Sequence, residues 1–337
     1  MSQRRIAVIG AGSWGTALAN LLAKKGENTV LWSFEPEVSD GIRREHRNPR
    51  YLSEVVLDTR LEVTDSIAHA AEGAEVVVSV SPSHVVRRVM TQVEPHLPDD
   101  ALVVSASKGI EEETLETMDG VLAEVLGAAA VQRTAFLSGP SFALEVALEH
   151  PTAVTMASHS PEAAKAAQDL FQTEYFRVYT NPDVPGVELG GALKNVIAIA
   201  AGAVDGLGFG HNTRAALITR GLAEITRLGV ALGADPLTFA GLAGMGDLIL
   251  TCTGPLSRNH AVGVELGRGR PIAEILAGMT MVAEGVRTAK AARALAAREG
   301  IEMPIVEEVY ALLYEDRGPR EAVENLMLRT PKAEQWS

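Results

Sequence analysis

Short apolar runs alternate with helical periodicities through the first half of the chain. Residues 5–9, 29–32, 61–64, 74–80, 101–105, 134–137 and 152–156 read as strands, being brief, apolar and rich in valine. Between them, 16–23, 66–71 and 83–93 carry helical character, and Pro95 and Pro98 end the last of these. Strands alternating with helices predict an α/β unit with a doubly wound, mostly parallel sheet. Ligands on such a sheet lie beyond the carboxyl ends of its strands. Three post-strand segments therefore matter: 81–83, 105–109 and 138–141.

The pattern changes at Asn181-Pro182-Asp183-Val184-Pro185-Gly186. Beyond it the periodicity is helical, as at 213–228, 284–298 and 306–314, with no strong strand pattern. The first strand runs into Gly10-Ala11-Gly12-Ser13-Trp14-Gly15 and then a helix, which is the dinucleotide-binding arrangement. Gly10 suits the tight turn, Gly12 the approach of a pyrophosphate, and Gly15 close helix–strand packing. The free amides and dipole of the helix N-terminus suit the phosphates. The expected architecture is a Rossmann domain over 1–183 and an all-α domain over 184–337, with the active site in the crevice between them.

Composition narrows the class. The chain has 337 residues, is 47% hydrophobic and carries a net charge of -13, which disfavours nucleic acid and anionic membranes as partners. One cysteine excludes an internal disulfide framework and a cysteine-based metal cluster. No signal pattern opens the chain and no run looks long enough to span a bilayer, so no membrane anchor and a cytoplasmic location are expected. His46, His69 and His84 are scattered, and no metal is expected.

The acidic balance gives local cations weight. Lys194 lies in Gly190-Gly191-Ala192-Leu193-Lys194-Asn195-Val196-Ile197-Ala198, where no helical neighbour can pair with an ammonium. A buried lysine loses charge stability, and its pKa moves toward the range a proton donor needs. Its partners must lie elsewhere in the chain. Lys108 follows a strand in Ser107-Lys108-Gly109, at the ligand edge of the sheet. Asp247, in Gly244-Met245-Gly246-Asp247, is either a helix N-cap or an orienting carboxylate sharing a face with Thr251. Arg258-Asn259, preceded by Ser257, joins a planar cation to an amide and suits phosphate or carboxylate recognition.

These motifs occur in one order: the 10–17 turn, Ser107-Lys108-Gly109, Ser138-Gly139-Pro140-Ser141, Leu193-Lys194-Asn195, Gly244–Asp247 and Ser257-Arg258-Asn259. Together they resemble the bacterial NAD(P)-dependent sn-glycerol-3-phosphate dehydrogenases, from residue 5 to beyond Glu284. The resemblance implies Lys194 as proton donor and acceptor, and Lys108 as a contact of both cofactor and substrate. It implies Gly139, Ser141, Asp247, Ser257, Arg258 and Asn259 as substrate contacts. It aligns Ser13, Trp14, Phe34, Ala143, Arg258, Val282 and Glu284 with cofactor contacts, beside Gly10, Gly12 and Gly15. It further implies dihydroxyacetone phosphate and sn-glycerol 3-phosphate as substrates, a role in glycerophospholipid synthesis, and a homodimer.

Phe34 departs from the basic or polar residue common in relatives. Glu35, about twenty residues after Gly15, stands where an acid holds the ribose 2′-hydroxyl of NAD. Dual use of NAD and NADP with a lean toward NAD is expected, unless Arg43 or Arg44 folds over the site. Two competing readings are a β-hydroxyacid-type dehydrogenase acting on a carboxylate and a non-catalytic nicotinamide-binding sensor. A requirement for substrate phosphate separates the first, and turnover the second.

Overall fold

The computed structural model describes residues 4–331, 333 and 334. The strands are β1 (Arg5–Ile9), β2 (Asn28–Trp32), β3 (Glu62–Thr64), β4 (Val76–Ser79), β5 (Leu102–Ser105), β6 (Thr134–Ser138), β7 (Thr152–Ala157) and β8 (Phe176–Asn181). The helices interleaved with them are α1 (Ser13–Lys25), α2 (Pro36–Glu45), α3 (Ile67–Ala71), α4 (Ser83–Val93), α5 (Met118–Leu126), α6 (Ala143–Ala147) and α7 (Pro161–Phe171). After β8 come α8 (Val184–Gly206), α9 (His211–Ala231), α10 (Pro236–Phe239), α11 (Asp247–Thr253), α12 (Arg258–Gly267), α13 (Ile272–Ala277), α14 (Glu284–Glu299), α15 (Pro304–Tyr314) and α16 (Pro319–Met327).

The strands form one sheet in the order β3-β2-β1-β4-β5-β6-β7-β8. β1 pairs in parallel with both β2 and β4, so the strand order reverses beside β1, at the glycine turn. β7 runs antiparallel to β6, and β8 follows β7 in parallel. The expected α/β class with a mostly parallel sheet and a helical second part is what the chain forms. β8 is an addition to the strands expected from the sequence. Its Phe176 and Val178 face inward while Arg177 and Tyr179 face solvent, the alternation of a half-exposed edge strand.

Both sheet faces are covered. α1, α6 and α7 pack on one, with Leu18, Leu22, Val146 and Phe171 against Ile6, Val8 and Val104. On the other, Val86, Met90 and Leu122 from α4 and α5 join Val77, Val103 and Phe136, together with Val184 and Val187 from the first turns of α8. Glu188 ties α8 to the same layer: its buried Oε2 accepts from Thr117 Oγ1 at 2.6 Å and from the Asp119 amide at 3.2 Å, at the start of α5.

α8 is the axis of the helical part, and α9, α11, α12 and α14 surround it. The expectation that no run is long enough to cross a bilayer does not hold. α8 and the stretch Pro236–Thr253 reach the necessary length and hydropathy, with mean values of 1.5 and 1.2. The apolar window of α8 lies wholly inside the protein, and 44% of the other window is buried. Apolarity all round marks α8 as a core helix.

Glycines let α12 reach the α8 backbone. A Cβ on Gly202 would sit 2.0 Å from the His260 carbonyl oxygen, and one on Gly263 would sit 2.0 Å from that of Ile199. One turn on, Gly206 and Gly267 repeat the pattern against Val264 and Ala203. Two glycines four apart on each helix thus make a backbone-to-backbone seam, which fixes the N-terminus of α12 relative to Lys194.

Candidate active site

Gly10 and Gly15 give the turn a shape that only glycine allows at those two positions. Gly10 has φ of 125°, and a Cβ on Gly15 would lie 1.8 Å from the Gly10 carbonyl oxygen. Around Gly12 nothing would obstruct a Cβ within 4 Å, so its surface stays open to an approaching group. No side chain caps the N-terminus of α1. The Trp14 indole N–H is buried beside this turn without a partner. Open backbone, an uncapped helix terminus and a spare donor fit the phosphates of a dinucleotide. Ala143, at the start of α6, packs in the same cluster as Trp14.

Beyond the ends of β5 and β6 lies the charged centre. Lys194 donates to Asp247 Oδ1, while Lys108 Nζ donates to Asp247 Oδ2 at 2.7 Å and to the Gly139 carbonyl at 3.3 Å. The Asp247 side chain is 1% exposed and that of Lys194 is 9% exposed. The sequence left Asp247 open between a helix cap and an orienting carboxylate. It caps nothing and holds both lysines. A π-helical turn at Leu242–Gly246 leads into Asp247, and Thr251 Oγ1 donates to the Asp247 carbonyl at 2.6 Å.

The glycines one turn before Lys194 explain how these groups meet. A Cβ on Gly190 would lie 2.5 Å from the Ala243 carbonyl oxygen of the π-helical turn. One on Gly191 would lie 2.7 Å from Ser138 Oγ and 3.4 Å from Lys108 Cδ. Missing side chains on α8 thus make room for the segment that delivers Asp247 and for the stem of Lys108.

Burial lowers the Lys194 pKa, to about 7; Asp247 opposes this fall and Lys108 adds to it. One carboxylate between two ammonium groups leaves a local excess of positive charge on an acidic protein. Such an excess of positive charge suits an anion. Gly139, with φ of 133°, and Ser141, whose hydroxyl donates to the Gly139 carbonyl at 3.0 Å, border it.

A third group gathers at the N-termini of α12 and α14. Ser257 caps α12 by accepting from the His260 amide. Arg258 is exposed, and its Nη1 donates to the Val282 carbonyl at 3.0 Å. Although its side chain reaches solvent, the protein around the guanidinium lowers its pKa, against the pull of Glu284. Burial likewise raises the Glu284 pKa, and Ser83 Oγ donates to its Oε2 at 2.7 Å. Asn259 is spent largely within the protein: its amide donates to Asn195 Oδ1 at 2.9 Å and its oxygen accepts from the Gly285 amide at 2.9 Å. It acts as a strut between α8 and α14, with one N–H and one lone pair left over.

Ser13 joins the first group to the third. Its hydroxyl donates to the Tyr51 carbonyl at 2.7 Å and lies 3.4 Å from Met281 Sδ, just before Val282. Phe34 stands apart, 72% exposed beyond β2, its ring edge-on to Trp32. Glu35 is already engaged on one oxygen, because Tyr51 donates its hydroxyl to Oε1 at 2.6 Å. Arg43 and Arg44 are engaged with Asp40 on their own helix. Tyr51 escaped the sequence reading, and Ser83 and Asn195 were named there only as parts of segments, without a role of their own. The post-strand position of Ser83 was the one available signal; the partners of Tyr51 and Asn195 are 16 and 64 residues away. Among the described residues, no cluster of histidine, cysteine and carboxylate groups could hold a metal ion.

Comparison with known proteins agrees with this geometry. Residues 5–164 match the model of the NAD-dependent glycerol-3-phosphate dehydrogenase N-terminus, and 183–324 match that of its C-terminus. The chain is 61% identical over 330 residues to the NAD(P)+ glycerol-3-phosphate dehydrogenase of Geobacter metallireducens, covering 98% of each. It is 59% identical to that of Citrifermentans bemidjiense, again covering 98% of each. The crystal structure of glycerol-3-phosphate dehydrogenase from Coxiella burnetii superposes with a TM-score of 0.93 at 40% identity, over 97% of this chain and 99% of that one. The resemblance read from the motifs is borne out, and the carboxylate-dehydrogenase and sensor readings fall away. The chain belongs to the NAD-dependent glycerol-3-phosphate dehydrogenase family.

Proposed function

We propose that the chain interconverts dihydroxyacetone phosphate and sn-glycerol 3-phosphate, with Lys194 as the proton donor and acceptor. The observation that carries this reading is the Lys108–Asp247–Lys194 cluster at the ligand edge of the sheet. Gly10, Gly12, Ser13, Trp14 and Gly15 would hold a nicotinamide dinucleotide, which would supply or accept the hydride. Ketone reduction then requires a proton on the developing alkoxide. The Lys194 ammonium stabilises that oxygen and protonates it, and Asp247 keeps the ammonium aimed. Lys108 adds positive charge to the same seat. Arg258, Ser257 and the spare Asn259 N–H clamp the phosphate, away from the reacting carbon. The energy of that remote contact aligns the carbonyl. In the reverse direction neutral Lys194 takes the hydroxyl proton. The same reading makes the product a backbone for cytoplasmic glycerophospholipid synthesis and the enzyme a homodimer.

The test is reduction of dihydroxyacetone phosphate and of dihydroxyacetone, followed by consumption of reduced nicotinamide. The phosphorylated substrate should be strongly preferred, and Lys194→Ala should lose at least about 100-fold in kcat while still binding cofactor. Equal rates with both substrates, or near-normal turnover in the folded variant, would sink the reading.

A further inference from the structure

The loop after α2 is bolted to the glycine turn. Buried Asn48 donates through Nδ2 to the Ala11 carbonyl at 2.8 Å and to Thr16 Oγ1 at 2.8 Å. Its Oδ1 accepts from the Arg50 amide at 3.2 Å and the Tyr51 amide at 3.0 Å. Ser13 holds the Tyr51 carbonyl from the other side. Arg50 and Tyr51 are thereby carried to the open end of β2, where Glu35 stands.

Three charged groups meet there. Tyr51 donates its hydroxyl to Glu35. Arg50 Nη1 lies 3.1 Å from Glu37 Oε1 and 4.0 Å from Glu35 Oε1, and its guanidinium sits 5.3 Å from the centre of the Tyr51 ring. The other nearby arginines are committed elsewhere: Arg43 and Arg44 to Asp40, and Arg47 to the Ser53 carbonyl at 2.8 Å. We infer that Arg50 determines whether the cradle accepts NADP(H), by receiving the 2′-phosphate that Glu35 alone would repel. This rests on reading 10–15 as the dinucleotide cradle.

The chemistry is one of exchange. A ribose 2′-hydroxyl can donate to Glu35, so NAD(H) needs no cation at this place. A 2′-phosphate brings a charge of about -1.5 to -2 against that carboxylate. The Arg50–Glu37 pair is solvent-exposed and weakly held, with the two side chains 41% and 60% exposed. Arg50 can therefore leave Glu37 and take a phosphate through two parallel N–H groups. Tyr51 keeps Glu35 engaged and offers the ring over which the guanidinium moves.

Dissociation constants of NADPH and NADH, measured by calorimetry on the full chain without substrate, test this. Arg50→Ala should weaken NADPH by about tenfold or more and leave NADH within about twofold. Glu35→Gln should shift the ratio the other way, tightening NADPH relative to NADH. Equal changes for both cofactors, or no change for either, would overturn the role of Arg50. Failure of the unsubstituted chain to bind either cofactor would overturn the cradle reading itself.

Discussion

Two buried groups on α8 titrate in opposite senses. In the proposed mechanism Lys194 donates only as its ammonium, and burial brings its pKa down to about 7. The kcat/KM for reduction should therefore fall as pH rises through about 7, an apparent value that belongs to the coupled lysine–aspartate cluster. Asp247 is what opposes the fall, so Asp247→Asn should move this limb to lower pH and lower the plateau. An unmoved limb would mean that another group titrates. Glu188 differs, because burial raises its pKa to about 8 from the ordinary glutamate value of 4.5. A raised folded-state pKa means the native state binds the extra proton. The stability this contributes is complete below about 4.5 and is lost as pH rises through about 8. Glutamine imitates the protonated acid. Glu188→Gln should flatten the decline of melting temperature between pH 6 and 9, and an unchanged slope would show that Glu188 is not its source. Glu224, raised to about 7 by burial beneath the start of α15, should account for part of what remains.

The α8–α12 seam controls the site at the level of elements. Carbonyl oxygens of one helix occupy the space a Cβ would need on the other, and backbone cannot move aside as a flexible side chain can. Gly202→Ala should destabilise the protein by about 1–3 kcal/mol or more in urea unfolding. It should also raise KM for dihydroxyacetone phosphate, since Arg258 begins the displaced helix. Full stability with normal KM would show that the seam can widen freely. The seam was not legible in the sequence, because a glycine inside a helical pattern does not say which helix it faces. Lys194 was legible because a lysine among small and apolar residues has no local partner. Its partner Asp247 lies 53 residues on, and the position of Lys108, 139 residues before Asp247, was suggested only by its place after a strand. β8 was passed over because alternating Phe176 and Val178 make a weaker signal than the continuous valines of β4. Glu35 was expected at the cofactor ribose, but its contact with Tyr51 depends on a loop that no local pattern foretells.

Across the whole molecule, the single cysteine reports on integrity. Cys252 is buried in α11, and burial pushes its thiol pKa up to about 12. An aromatic disulfide reagent should leave it unlabelled in the native protein and react fully in denaturant. Labelling should follow the loss of activity as urea rises, because α11 also carries Asp247. Fast labelling of fully active protein would instead reveal local opening of α11. The burial of α8 has a further consequence, during synthesis. Its last residue, Gly206, is made before α12 (Arg258–Gly267), which covers it. At translation rates of about 5–20 residues per second, that order leaves an apolar, membrane-length segment uncovered for roughly 3–12 s. The helix that carries Lys194 in the finished enzyme is thus, in the growing chain, a stretch in need of a chaperone.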